Sequence, residues 1–66
     1  MEVKYPDIAV QLTGHDGNAM IVMGRVASAL RKAGVAKDEI DEFYRESMRG
    51  DYDHLLQTAM AWVAVS

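Results

Sequence analysis

Two short stretches of the sequence, TGHDGNAM and GDYDHLL, each place a histidine beside carboxylates. The side chains concerned are His15, Asp16, Asp51 and His54. Imidazole and carboxylate groups are ligands of zinc and iron. If both stretches begin helices of an up-down-up bundle, they meet at the same end of the molecule. These four residues therefore form a candidate metal or anion site.

Helix capping gives the same residues a simpler role. The side chains of Asp16 or Asn18, and of Asp51, can accept hydrogen bonds from the first free amides of a helix. A helix N-terminus attracts anions and repels cations, which disfavours a metal at this place. Capping is the leading interpretation of both stretches, and metal or anion binding stays a minor hypothesis.

The sequence lacks the motifs that are typical of several enzyme classes. It has no cysteine, which excludes disulfides, thiolate zinc sites and cysteine nucleophiles. Neither nucleotide-binding glycine pattern is present, and no G-x-S-x-G elbow supports a serine nucleophile. A chain of 66 residues also has little room for a cleft of about 300 Å³, the usual lower size of small-ligand sites. We expect a protein that is not an enzyme and needs no cofactor.

The elements that position these residues follow from the apolar pattern. Residues 8–12 alternate, with Ile8, Val10 and Leu12 on one side, and predict a short strand. Pro6 suits the leading edge of that strand, because no ladder donor is needed there. A lone strand must pair with the C-terminal tail or with the same strand of a second molecule. Small size and a lone strand together predict a homodimer.

Three helices follow the strand. The periodicity predicts helices over 19–33, ending at Gly34, over 37–49, and from a cap at Asp51 through Val63. The last residues, WVAVS, could instead form a strand, but the helical pattern favours helix. The predicted fold is mainly α, a small α+β domain over 1–66 in which a short N-terminal strand precedes a three-helix bundle.

The outer face of the first helix is a candidate partner-binding stripe. It carries one aliphatic side chain and two cations in a row formed by Ile21, Arg25, Ser28 and Lys32. Five methionines add side chains that suit adaptable contact surfaces. The favoured interpretation is plainer: the N-terminal strand covers Ile21, the cations are ordinary surface and the methionines fill the core.

The charge and hydropathy of the sequence argue against nucleic acid and membranes as binding partners. The net charge of −3 disfavours nonspecific nucleic-acid binding, which needs surplus lysine and arginine. No apolar run reaches the roughly 18–20 residues of a membrane span. The first residues, MEVKYPDI, lack the apolar region of a signal peptide. We expect a cytoplasmic protein that does not bind a membrane.

The motifs VQLTGHDGNA, IDEF and GDYDHLL together resemble a family of small uncharacterised proteins of bacteria and their phages. Members carry a similar LTG-x-DGNA loop, an AGV turn and a GDYDHLL ending, and the resemblance covers residues 5–63. No established activity is attached to that family, so the resemblance implies no catalytic residue. His15 departs from the family's loop. The phage connection implies, by association, a small regulator or an inhibitor of a host protein.

Two functions of different class follow. The first is a non-catalytic module that binds another protein. The second is a ribbon-helix-helix regulator, in which the strands of two chains lie in the major groove of DNA. Its outward strand positions would be Asp7, Ala9, Gln11 and Thr13. Only Gln11 and Thr13 could contact bases and Asp7 would repel phosphates, so the interaction module is favoured.

Overall fold

The computed structural model describes residues 2–12 and 18–66. The fold is mainly α, as predicted, with strands near both ends of the described chain. The elements in chain order are β1 (Tyr5–Val10), α1 (Ala19–Lys32), α2 (Lys37–Ser47), α3 (Tyr52–Trp62) and β2 (Val63–Val65).

The N-terminal strand pairs within its own chain. β1 and β2 form a two-stranded parallel sheet. Beyond the ends of the strands, the amide of Ser66 donates to the carbonyl of Val10 (3.0 Å) and the amide of Leu12 donates to the carbonyl of Ser66 (2.9 Å). Of the two pairings expected for the strand, the structure therefore has the one with the C-terminal tail. The homodimer stays a prediction, without the strand pairing between chains that motivated it.

The prediction that the third helix continues through Val63 is wrong. α3 ends at Trp62, and Val63 is extended, with φ −136° and ψ 166°. Val63 is also fully buried. In this extended form the β-branched residues of the tail pair with β1, whose peptide groups a longer helix would have left without partners.

The first strand begins earlier than predicted, and Pro6 lies inside it. The register between β1 and β2 shifts between Tyr5 and Ala9. Proline has no amide to donate to a ladder, so an irregular stretch is the place in a strand that tolerates it.

The helix termini carry the expected signals. Asn18 caps α1 by accepting from the amide of Ile21 (3.2 Å), and Asp51 caps α3 by accepting from the amide of His54 (3.0 Å). Gly34 has a φ of +85° just after α1, a conformation that glycine adopts without strain. The structure thus confirms Asn18 and Asp51 as caps, whereas Asp16 lies outside the described residues. α1 ends one residue before its predicted end, and α2 ends two residues before.

The core lies among the three helices and the sheet. Phe43 of α2 is fully buried and meets Trp62 edge-on, with ring centroids 5.4 Å apart. The buried apolar residues are Val10, Leu12, Val22, Met23, Val26, Ala27, Leu30, Ile40, Phe43, Leu55, Ala59, Trp62 and Val63.

A polar cluster fastens the start of β1 to α2 and α3. The ammonium of Lys4 lies 2.9 Å from a carboxylate oxygen of Glu39 and 4.2 Å from the ring centroid of Trp62. The Tyr5 hydroxyl donates to the other oxygen of Glu39 (3.0 Å). The hydrogen bond from Lys4, and then that from Tyr5, lowers the pKa of Glu39. The hydrogen bond to Glu39 raises the pKa of Lys4.

Candidate functional site: a groove between β1 and α1

A groove of about 500 Å³ runs between β1 and the outer face of α1. The four residues predicted as a partner-binding stripe all line it. Among the described residues, the lining consists of Ala9, Val10, Gln11, Ile21, Gly24, Arg25, Ser28, Ala29 and Lys32. We call this feature the β1–α1 groove.

The N-terminal strand does not cover the stripe. Ile21 keeps 45% of its surface exposed, so the expectation that β1 would bury it is wrong. Arg25 is exposed and its Nε donates to the carbonyl of Gln11 (3.0 Å). That bond ties α1 to the residue just after β1 and fixes the guanidinium at the rim of the groove.

One edge of β1 faces this groove. In a strand the N–H and C=O of one residue point to the same edge, and successive residues alternate. Val10 and Leu12 bond to Ser66 on the β2 side. Ala9 and Gln11 therefore direct their peptide groups away from β2, and we call this side the outer edge. Among the described residues, Arg25 reaches it with a hydrogen bond, to the Gln11 carbonyl alone.

The lining of the groove includes a helical glycine that the described residues do not require. A Cβ added at Gly24 would meet none of their atoms within 4 Å. Glycine inside a helix costs about 1 kcal/mol relative to alanine, and Gly24 has no positive φ to require it. Gly24 was not among the predicted site residues, although an isolated glycine inside a helical pattern is a signal that could have indicated it.

The groove is cationic in an acidic protein. Its lining includes Arg25 and Lys32 and, among the residues that the structure describes, no aspartate or glutamate, whereas the net charge of the whole chain is −3. A negatively charged group should therefore bind more favourably in this groove than on most other parts of the protein surface.

The second candidate site lies where α1 and α3 begin. A hollow of about 350 Å³ between these helix starts is lined by Ala19 of α1 and by Asp51 and Tyr52 at the start of α3, so the two starts do meet as predicted. His15 and Asp16 lie outside the described residues. Within the described part of the chain, no group of three or more metal-ligating side chains comes together.

Asp51 and His54, the described residues of that candidate site, make hydrogen bonds that stabilise the fold. The carboxylate of Asp51 accepts from the amide of His54. The Nε2 of His54 lies 2.8 Å from the carbonyl oxygen of Glu46 near the end of α2. A Cβ at Gly50 would lie 2.8 Å from the Cβ of His54, so this turn is shaped around the histidine. The ring thus joins α2 to α3, and metal binding remains a prediction.

The size expectation for cavities is wrong. Besides the β1–α1 groove, a hollow of about 410 Å³ lies beside Trp62 and Lys4. Both hollows are larger than roughly 300 Å³, the cleft volume for which a chain of this length was expected to have little room. Short helices joined by tight turns leave open grooves between them even in a small domain. The expectation that the protein is not an enzyme therefore rests on the missing motifs alone.

Comparisons with protein-family models, with curated proteins and with solved structures found no match for this chain. The resemblance to bacterial and phage proteins stays a prediction. No helix in the described part of the chain is long and apolar enough to cross a membrane.

Proposed function

We propose that this chain is a non-catalytic interaction module that binds another protein in the β1–α1 groove. The observation that carries the proposal is Gly24. A helix-interior glycine lowers the stability of a small domain, and no atom of the described residues fills the space above this one. A partner that approaches α1 closely at this position would account for it.

Three further features of the groove support the proposal. Ile21 is a large aliphatic side chain that stays partly exposed at one end, and it offers apolar area to a partner. The outer edge of β1 offers peptide groups at Ala9 and Gln11. Arg25 and Lys32 offer donors at the rim. Apolar area, backbone groups and charge thus converge on one concave surface, the composition expected of a binding site.

The test is affinity capture from the native host by the full chain and two tryptophan variants. Gly24→Trp places a large side chain in the groove. Arg31→Trp is the matched control, because Arg31 is exposed on the same helix but does not line the groove. Circular dichroism and thermal unfolding first establish that both variants fold.

We expect at least one host protein to be captured by the wild type and by Arg31→Trp, and to be lost with Gly24→Trp. Capture that persists with Gly24→Trp would place the partner elsewhere. If no protein is enriched by the folded wild type over a surface-matched control, the interaction function is wrong.

The ribbon-helix-helix alternative gains no support from a specific feature. Its strand would have to pair with a second chain, whereas β1 pairs with β2 of its own chain. A titration of operator-like duplexes at low salt would test it, and salt-dependent binding would revive it.

A further inference from the structure

We infer that the partner enters the β1–α1 groove as an extended, acidic segment that adds to the outer edge of β1 as a third strand. This inference rests on the proposed function and specifies its ligand. The recognition mode would be strand addition, in which backbone bonds supply affinity and side-chain contacts supply selectivity.

The direction of the peptide groups of β1 is the first feature that supports strand addition. Ala9 directs its N–H and C=O to the outer edge, and Gln11 directs its N–H to the same edge. The Gln11 carbonyl is already engaged by Arg25. An incoming strand can therefore use two donors and one acceptor here, with the Arg25 guanidinium marking where regular pairing stops. Strand addition of this kind satisfies groups that an isolated edge leaves to water.

The shape of the groove is the second feature. Neighbouring strands lie about 4.8 Å apart, so an added strand would lie alongside β1, over the groove. Several of the α1 residues that line the groove are small, namely Gly24, Ser28 and Ala29. A bulkier residue at Gly24 would occupy the place of the added strand. This would explain why a Cβ is absent where the described residues leave room for one.

The positive charge of the groove is the third feature, and it supports an acidic segment. The two cations of the groove, Arg25 and Lys32, have no acidic neighbour in the described part of its lining. The Nε of Arg25 donates to the carbonyl of Gln11, and within the described residues this is its one hydrogen bond, so its two terminal nitrogens are further donors. A carboxylate on the added segment would bond to these nitrogens or to the ammonium of Lys32. Acidic side chains are therefore favoured and basic ones are disfavoured.

A second copy of this chain is a poorer occupant. A two-fold pairing of β1 with β1 would bring both copies of Arg25 and Lys32 to one interface. Nucleic acid is also disfavoured, because two cations in a chain of net charge −3 neutralise few phosphates.

The experiment probes an array of random-sequence peptides of about eight residues, a length sufficient for one strand, with the labelled full chain. The best binders are titrated in solution against the isotope-labelled protein, while the backbone amide signals of Ala9, Gln11 and Gly24 are followed by NMR. Each binder is also made with N-methyl groups on alternate amides, which remove strand pairing and keep the side chains.

The charge is tested by Lys32→Glu, with Arg31→Glu as the matched control in the same helical turn but outside the groove. We expect the binders to be rich in Asp and Glu, to shift the amides of Ala9 and Gln11, and to lose binding when N-methylated. Lys32→Glu should weaken them about threefold or more, a typical effect of an exposed ion pair, and Arg31→Glu should have a smaller effect. Exchanging the peptide's acid for lysine should restore part of the affinity toward Lys32→Glu.

The outcomes separate this inference from the function on which it rests. Binders that shift the groove amides but are neutral, basic, helical or indifferent to N-methylation would overturn the acidic strand and leave the groove as the docking site. An array without binders would also overturn the strand. Binders that leave the groove amides unmoved and bind Gly24→Trp normally would contradict the proposed function itself. Concentration-dependent self-association through β1, seen by sedimentation, would assign the groove to a second copy instead.

Discussion

Replacing Gly24 by alanine should stabilise the protein and weaken its function. The added methyl group meets no neighbouring atom of the described residues within 4 Å, so we expect no steric strain. Position 24 lies well inside α1, which spans Ala19–Lys32. Alanine there removes the backbone entropy cost of a helical glycine, about 1 kcal/mol.

The size of this gain is easily measured in so small a domain. A net stability of about 3–5 kcal/mol is typical at this length, so about 1 kcal/mol is a sizeable fraction of it. The thermal midpoint should rise by about 4–8 °C. In urea, with a slope near 1 kcal/mol per molar for a small protein, the midpoint should rise by about 1 M.

The assay is urea and thermal unfolding of wild type and Gly24→Ala, followed by far-ultraviolet circular dichroism. The slope of the urea transition should not change, since the surface exposed on unfolding is nearly the same. A lower midpoint for Gly24→Ala would refute the reasoning, because it would mean that α1 needs the glycine for its own packing. A raised midpoint together with undiminished partner binding would remove the groove as the explanation for the glycine.

Other positions give further expected outcomes. Gly50→Ala should lower the free energy of unfolding by about 1–3 kcal/mol, because its Cβ would lie 2.8 Å from the Cβ of His54; an unchanged urea midpoint would contradict this. Phe43→Ala removes a fully buried ring at a cost of about 3–5 kcal/mol, so circular dichroism should show a largely unfolded chain, and a cooperative transition near that of wild type would be the contrary result. The folded-state pKa of Glu39 is lowered, so its stabilising contribution is present above the ordinary glutamate pKa and is lost as the pH falls through the folded value. The pKa of Lys4 is raised, so its contribution is present below the ordinary lysine pKa and is lost as the pH rises through the folded value. Stability measured against pH should therefore fall less steeply at both extremes in Glu39→Gln than in wild type, and identical profiles would show that the cluster does not stabilise the fold.

Local signals were enough to predict the helices. Asn18 and Asp51 supply side-chain oxygens at the helix starts, and Gly34 supplies the positive φ at a helix end. Each of these roles depends on neighbours within a few residues, so the sequence alone reveals them. The early end of α2 was less predictable, because helix termini fray and carry weaker signals than interiors.

Pairing between distant segments was not predictable in the same way. The partner of β1 lies more than fifty residues along the chain, at Val63–Val65, and a short valine-containing tail fits either a helix or a strand. The tertiary contact decided between them. The polar cluster at Lys4 and Glu39 has the same origin, since nothing local brings these two residues together.

The candidate site was predicted in part. The helical spacing of Ile21, Arg25, Ser28 and Lys32 placed them on one face, and the structure puts all four along one groove. The other wall of the groove depends on where β1 lies, which the sequence left open. Gly24 was passed over because its significance appears only when the space above it is known to be empty.

The most direct test of the groove as a docking site is site-specific photo-crosslinking in the native host. A photoreactive amino acid replaces Ser28 in the groove or, as a control, Arg45, which is exposed on α2 and does not line the groove. The proposed function predicts a discrete covalent adduct with another protein from position 28, absent from position 45. Equal adducts from both positions, or none from position 28 in a folded variant, would contradict it.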